Sequence, residues 1–216
     1  MHAILGTKLG MTQIWGPEGN RFAATVVQVG PCVVTKLKRE DGKDGYNAVQ
    51  FGYEAVPERK LSKPEVGVFK KVGLAPHRHL REFRVTKDQL AQYEVGQTIT
   101  TEHLKVGNFV DAVGVTKGRG FTGVMKRYQF QGFSMSHGVH ESYRGPGTGG
   151  RGSLQPSRVP PGSRRPGQMG NCRATSQTLL IMAIDPANNL VFLNGAVPGP
   201  RNGVVLLQSA KKAPEI

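Results

Sequence analysis

Short runs of apolar and β-branched residues recur along most of the chain, and Gly, Asn and Asp separate them. The runs cover residues 22–37, 46–53, 106–116, 177–184, 190–193 and 204–207. Runs of this length and composition predict β-strands. Turn-forming residues at 43–45 and 186–189 lie between such runs, so we expect hairpins of an antiparallel barrel.

Two short helices interrupt this β pattern. One is predicted to begin at Pro64, because proline suits the first turn of a helix, and to end near Gly73. The other follows Thr86, where Gln89 completes a capping box. Neither helix is long enough to connect two parallel strands of an α/β sheet. The predicted fold class is therefore mostly β, an antiparallel β-barrel domain with short helices.

Residues 128–173 differ from the rest of the chain in composition. They contain 10 glycines and 5 prolines among 46 positions, with no sustained apolar periodicity. A stretch of this length without regular structure is generally functional, disordered or both. We expect a long extended basic loop that interrupts the barrel. The predicted organisation is a discontinuous β-barrel domain at 1–127 plus 174–210, the loop at 128–173 and a tail at 211–216.

The charge is unevenly distributed. Lys and Arg outnumber Asp and Glu by 29 to 15, which gives a formal net charge of +14. Residues 112–183 carry ten of the basic residues and a single acid, Glu141, so this third of the chain holds +9 of the total. A field of one sign predicts a polyanionic partner, and nucleic acid, an anionic membrane surface or an acidic protein tail would each satisfy it.

Several protein classes are not indicated. Residues 1–15 have only short apolar runs, unlike a secretory signal. No window approaches the ~18 uninterrupted apolar residues of a membrane-spanning helix. Cys32 and Cys172 lie far apart and outside any CxxC motif, which is typical of a reducing compartment. We expect an intracellular protein without membrane contact.

The loop uses arginine for its positive charge, because no lysine occurs between Lys126 and Lys211. The guanidinium group pairs phosphate through two hydrogen bonds and stacks on bases, which favours RNA as the polyanion. The loop also contains the aromatic residues Tyr128, Phe130, Phe133 and Tyr143. Stacking on bases is open for all four rings, and anchoring to the barrel is the alternative for the first three, which lie beside apolar residues.

A nucleotide-dependent enzyme is the alternative from another class. Gly118, Gly120 and Gly123 satisfy the GxGxxG fingerprint of dinucleotide sites, and Glu141 lies near the offset of a ribose-binding acid. The segment that follows is too short for the helix that should hold the pyrophosphate, and the βαβ repetition is missing. The fingerprint therefore lacks its structural context.

Metal and catalytic motifs give no further candidates. His77 and His79, and likewise His137 and His140, have no second pair of ligands at metal-site spacing. No nucleophile, phosphate-loop or zinc-protease motif is present. We expect no enzymatic activity, cofactor, metal or small-molecule substrate.

The pattern from Leu104 to Arg127 resembles a family signature. It reads Leu104-x6-Asp111-x2-Gly114-x-Thr116-x-Gly118-Arg119-Gly120-x2-Gly123-x3-Arg127. This pattern is similar at every position to the signature of large-subunit ribosomal protein three, the universal L-three family in its bacterial type. Residues 5–15, 80–84, 136–138, 167–171 and 195–199 also resemble family motifs, in the family's order. The resemblance covers nearly the whole chain.

The resemblance implies a structural component of the large ribosomal subunit. It implies a barrel on the solvent side, with a loop that runs through large-subunit (23S-type) rRNA towards the peptidyl transferase centre. Binding near the 3′ end of that rRNA and a role early in assembly are also implied. The expected protein neighbours are large-subunit proteins numbers fourteen and nineteen. No catalysis is implied, since the RNA forms the peptide bond.

Charge and resemblance together define the candidate site. The residues expected to bind RNA are Lys8, Lys117, Arg119, Lys126, Arg127, His137, Arg144, Arg151, Arg158, Arg164, Arg165 and Arg173. A free regulatory barrel that binds messenger or transfer RNA is the third hypothesis. It differs from the ribosomal one in that it would wash off large subunits in high salt.

The loop tip departs from the family pattern. Gly152, Ser153, Leu154 and Gln155 form the expected tip near the peptidyl transferase centre. Many members have Gly-Gln-x-x-Thr-Pro at 151–156, so the glutamine that some bacteria methylate is missing or displaced here. Gln155 is the nearest candidate for this modification. Prolines at 160–161 and 166 predict a locally stiffer backbone.

Overall fold

The computed structural model describes residues 3–16, 18–147, 159 and 161–213. Its contacts divide the chain into two compact units. The β unit comprises Met1–Val115 with Arg173–Ile216, and the loop unit comprises Thr116–Cys172. The predicted domain limits, 1–127 plus 174–210 and 128–173, remain a prediction.

Besides 3-10 turns at Glu58–Lys60 and Thr101–His103, the β unit contains ten strands and two α-helices in its described part. In chain order these are β1 (Ala3–Trp15), β2 (Arg21–Val29), β3 (Cys32–Lys38), β4 (Ala48–Ala55), α1 (Lys63–Val72), β5 (His77–Arg84), α2 (Lys87–Leu90), β6 (Thr98–Ile99), β7 (Phe109–Val115), β10 (Arg173–Asp185), β11 (Leu190–Asn194) and β12 (Val204–Ser209). The loop unit supplies β8 (Phe121–Thr122), α3 (Val124–Tyr128) and β9 (Gly167–Gln168).

Six strands close into an antiparallel barrel in the order β1-β12-β7-β10-β11-β2. Alternate residues of β11 and β12 point inward, and Val191, Leu193, Val205 and Leu207 are almost fully buried there. Closure pairs every barrel strand on both sides, so the barrel itself has no open strand edge. The predicted mostly β fold with an antiparallel barrel and short helices is confirmed.

The apolar pattern does not predict β1, because Gly6, Lys8 and Gly10 interrupt it. Gly6 is needed for close strand packing, since a Cβ there would lie 2.6 Å from the backbone oxygen of Gln28 on β2. The pairing with β2 shifts register between Lys8 and Gly10. Tertiary packing thus selects a strand where local periodicity is weak.

Four strands form a second antiparallel sheet in the order β5-β4-β3-β6. The predicted run 22–37 accordingly divides at Gly30, whose φ of 63° turns the chain from the barrel into this sheet. The polar sequence of β5 does not predict a strand, yet Phe83 is buried and its ring centroid lies 5.1 Å from that of Phe51 on β4.

Both predicted helices are confirmed. The backbone N–H of Ser62 donates to Glu65 at 3.0 Å at the start of α1, and Gly73 ends this helix in the left-handed conformation. The backbone N–H of Thr86 donates to the Gln89 side chain at 3.3 Å at the start of α2. No helix in the described ranges is long and apolar enough to cross a membrane.

Candidate RNA interface

The loop unit begins and ends as a two-stranded ribbon formed by residues 116–122 and 167–172. The backbone N–H of Thr116 donates to the carbonyl of Cys172 at 2.9 Å, and that of Arg119 donates to Met169 at 2.9 Å. Beyond them, Phe121 of β8 pairs with Gln168 of β9. This ribbon fixes the backbone that carries Lys117 and Arg119.

Glycines let the two limbs of the ribbon approach each other. Gly170 has a φ of 71°, and a Cβ at this position would collide with the backbone carbonyl of Lys117. A Cβ on Gly118 would lie 3.4 Å from the Cβ of Asn171. The ribbon therefore requires glycine at 170, where both sterics and backbone conformation oppose a side chain.

This geometry does not resemble a dinucleotide site. Gly118 and Gly120 lie in the ribbon, and Gly123 precedes α3, which has only 5 residues. Every strand pair of the described residues is antiparallel, so the βαβ unit that the fingerprint needs is not seen among them. Gly118 and Gly120 belong to the ribbon, and Gly123 is the N-cap residue of α3.

Most basic side chains among the described residues of the loop unit lie at its surface. Six of them are exposed, and they are Lys117, Arg119, Lys126, Arg144, Arg164 and Arg165. Within the described residues, none of the ion pairs between positions 36 and 82 involves these six. Their charge is therefore not neutralised by any described carboxylate, and it attracts an external polyanion.

Arg127 is held inside the loop unit. One of its guanidinium nitrogens donates to the backbone carbonyl of Arg165 at 2.8 Å, and its Cζ lies 5.0 Å from the centroid of the Tyr128 ring. The Cζ of Arg164 lies 5.7 Å from the same ring. A Cβ on Gly167 would lie 2.7 Å from Arg127, so glycine leaves room for the guanidinium. Arg127 thus links α3 to the returning limb, a role that the charge pattern does not reveal.

The aromatic residues of the loop unit have different environments. The rings of Tyr128 and Phe130 are partly buried, and their centroids lie 6.3 Å apart. The backbone N–H of Phe133 donates to the carbonyl of Tyr143 at 2.9 Å, which folds this limb back on itself. Phe121, which the sequence analysis did not single out, is 79% exposed. The sequence signal that could have singled out Phe121 is its position within five residues of Lys117, Arg119 and Lys126.

The remaining candidates occupy other places. The Lys8 ammonium donates to the carbonyls of Val197 at 2.7 Å and Gly199 at 3.4 Å within the β unit, so it supports the barrel directly. Arg173 is exposed at the start of β10, and His137 is exposed with a φ of 62°. RNA contact by these three remains a prediction. Arg151, Gly152, Ser153, Leu154, Gln155 and Arg158 lie outside the described residues.

The histidine pairs do not assemble a metal centre. The ring of His77 is buried beside Phe69 at 6.0 Å between centroids, and burial lowers its pKa. The Nε2 of His79 lies 3.4 Å from a carboxylate oxygen of Glu54. Across the described ranges, no three His, Cys, Asp or Glu side chains come together to hold a metal. Cys32 is buried, Cys172 is exposed, and neither forms a disulfide.

Comparison with known proteins adds an independent finding. A family model described as ribosomal protein L3 matches residues 79–189. The chain is similar to the large ribosomal subunit protein uL3 of Kocuria rhizophila, with 47% identity over 97% of this chain and 94% of the relative. The uL3 proteins of Salinispora arenicola, at 47% identity over 97% and 94%, and Brachyspira pilosicoli, at 46% over 98% and 95%, are similarly close.

Proposed function

The chain belongs to the ribosomal protein L3 family, and from this premise we propose that it is a structural protein of the large ribosomal subunit whose loop unit binds large-subunit rRNA. The observation that carries the proposal is the set of six exposed cations in the loop unit, none of which forms an ion pair with a carboxylate among the described residues. Cations that meet RNA phosphates release condensed counterions, and this release drives binding.

The residues divide by position within the proposed interface. Lys117 and Arg119 meet phosphates from the ribbon, and Lys126 meets them from α3. We expect Arg144, Arg164 and Arg165 to bind phosphates farther along the loop. Arg127 positions Arg165 through its hydrogen bond and shares the Tyr128 ring with Arg164. Guanidinium groups stacked on a ring keep their outer N–H groups for phosphate oxygens.

The family resemblance supports the finer parts of the proposal. These are binding near the 3′ end of the rRNA, action early in assembly, and a loop tip at Gly152–Gln155 that faces the peptidyl transferase centre. Large-subunit proteins numbers fourteen and nineteen are the proposed neighbours. The protein contributes positioning and charge to the subunit, and no catalytic role is proposed for any residue.

Two matched triple variants test the loop-unit assignment. K117Q/R119Q/K126Q removes three charges from the loop unit, and K63Q/K71Q/K87Q removes three exposed charges from the β unit. In filter binding to large-subunit rRNA at physiological salt, the first should lose affinity on the order of tenfold or more and the second much less. Equal losses would refute the assignment, because they would make net charge the only determinant.

Sedimentation separates the ribosomal proposal from a regulatory RNA-binding barrel. The full chain should remain with large subunits through a sucrose gradient in high salt, since its contacts are buried within the particle. Release of the chain at that salt would instead favour a peripheral regulator, because loosely held cations are displaced by competing ions.

A further inference from the structure

Phe121 is the most exposed aromatic side chain of the described residues, at 79%, compared with 68% for Trp15 and 48% for Phe133. Single exposed apolar residues are common on protein surfaces, so exposure alone does not define a site. The surroundings of this ring carry the argument.

The backbone on both sides of Phe121 is fixed by hydrogen bonds. Before it, the N–H of Met169 donates to the carbonyl of Gly120 at 3.0 Å. At Phe121 itself, β8 pairs with Gln168, and the next pair is Thr122 with Gly167. The side chain of Thr122 is buried. A ring on such a backbone is held outward before any partner arrives, which lowers the entropy lost on binding.

The other aromatic rings near the start of the loop have partners within it. Tyr128 contacts Phe130 and lies beneath two guanidinium groups. Among the described residues, no aromatic ring or cation lies against the ring of Phe121. Its exposed face is therefore open to an external group.

Charge selects the partner of this open ring. Lys117 and Arg119 precede Phe121 by four and two residues, Lys126 follows by five, and all three are exposed. Glu141 is the single acid in the sequence of the loop unit. A partner that offers both a flat apolar face and negative charge at short spacing is a nucleotide, whose base stacks while its phosphate meets a cation.

We propose that Phe121 is a stacking platform for an unpaired nucleobase, with Lys117 and Arg119 holding the adjoining phosphates. The inference rests on the proposed function and extends it from phosphate binding to base contact. Stacking is tolerant of sequence because every base has a π-face, so the platform recognises an unpaired base and not a particular one.

Substitutions of the ring test the platform in the full chain. In binding to large-subunit rRNA, F121A should lose about 5- to 100-fold in affinity, F121L should lose nearly as much, and F121W should retain it. The dependence on salt should be unchanged in all three, since no charge is removed. Near-equal affinities of F121A and the parent chain would overturn the proposal.

A short oligoadenylate and the same oligomer without bases provide the matched ligands. The parent chain should prefer the base-bearing oligomer, and F121A should bind both alike. If F121A preferred the base-bearing oligomer as strongly as the parent chain does, the proposed base contact would be wrong. A failure of the proposed function is distinguishable, because K117Q/R119Q/K126Q would then bind rRNA as the parent chain does.

Fluorescence reports the ring directly, because the chain has one tryptophan, Trp15. In W15F/F121W the emission of the new indole should be quenched by oligoadenylate and protected from added acrylamide. Unchanged emission at saturating oligoadenylate and saturating rRNA would overturn the proposal and favour a protein contact for this ring. Thermal unfolding of each variant verifies the fold, which an exposed side chain should not alter.

Discussion

The sheet β5-β4-β3-β6 and the ribbon of the loop unit both carry cations, but their cations differ in whether a carboxylate lies beside them. In the sheet, the ammonium group of Lys38 lies 3.0 Å from Glu82 and 3.3 Å from Asp44, and it donates to the Tyr46 hydroxyl at 2.8 Å. The hydrogen bonds to Tyr46 and then Glu82 raise its pKa above the ordinary value. In the ribbon, Lys117 and Arg119 have no described carboxylate partner.

We propose that this difference separates charges that serve folding from charges that serve binding. A cation with internal carboxylate partners adds little to the attraction of an external polyanion, because its field is already compensated. An exposed cation without such a partner repels its neighbours and gains most when a phosphate arrives. Net charge alone therefore does not locate an interface, whereas the pairing of each charge does.

The largest effect is expected from the glycine that allows the ribbon to form. G170A places a Cβ against the carbonyl of Lys117 and strains a left-handed backbone, so the limbs should separate. Affinity for rRNA should fall on the order of tenfold or more while the circular dichroism of the β unit persists. The matched change G67A, on α1 with open space around it, should leave affinity intact.

Affinity of G170A equal to that of G67A would show that the ribbon does not organise the cations. Hydrogen exchange at the Arg119 and Met169 amides gives a second readout, because both amides are bonded across the ribbon. Their protection should fall in G170A and persist in G67A.

A smaller loss is expected when Arg127 is replaced. R127K keeps the charge but loses the planar fork that reaches the Arg165 carbonyl, so it should lose affinity about fivefold, close to the loss of R127A. A phosphate contact made by charge alone predicts instead that R127K binds like the parent chain. Titration of rRNA with the parent chain, R127K and R127A shows whether Arg127 positions Arg165 or contacts a phosphate directly.

Single lysines in the two regions should behave in opposite ways. K117Q should reduce the slope of log affinity against log salt by about 0.7–0.9 and leave the urea midpoint unchanged. K38Q should lower the urea midpoint, because Asp44 and Glu82 lose their shared partner, and leave the slope unchanged. A shallower slope in K38Q would contradict the division between folding and binding charges.

The smallest effect concerns the pH dependence of the β unit. Burial lowers the pKa of His77 in the folded chain, so the unfolded chain binds the proton more readily. The stability from neutral His77 should be fully present above the unfolded pKa of about 6.5 and should decrease as pH falls below it. Urea midpoints between neutral and mildly acidic pH should fall more in the parent chain than in H77Q. Parallel curves would contradict this assignment.

Sequence patterns predicted elements whose determinants are local. The helices at Lys63–Val72 and Lys87–Leu90 follow from their capping residues, and most strands follow from their apolar runs. The strands β1 and β5 were missed because glycines or charged residues interrupt them, and their neighbours across the sheet decide their conformation.

The sequence predicts the charge of the candidate site but not its geometry. The scarcity of acids identifies the cationic loop, since composition alone shows it. The ribbon joins residues such as Thr116 and Cys172, which are 56 positions apart, and no local pattern specifies that pairing. The Arg127 contact with Arg165 and the open face of Phe121 depend on the same long-range pairing, so the sequence did not reveal them.

The salt dependence of rRNA binding tests the central claim most directly. Affinity is measured from low to physiological salt for the parent chain, K117Q/R119Q/K126Q and K63Q/K71Q/K87Q. The loop-unit variant should show a slope shallower by about 2 to 3, one phosphate contact for each lost charge, and the β-unit variant should keep the parent slope. Equal slopes in the two variants would contradict the claim that the loop unit carries the RNA interface.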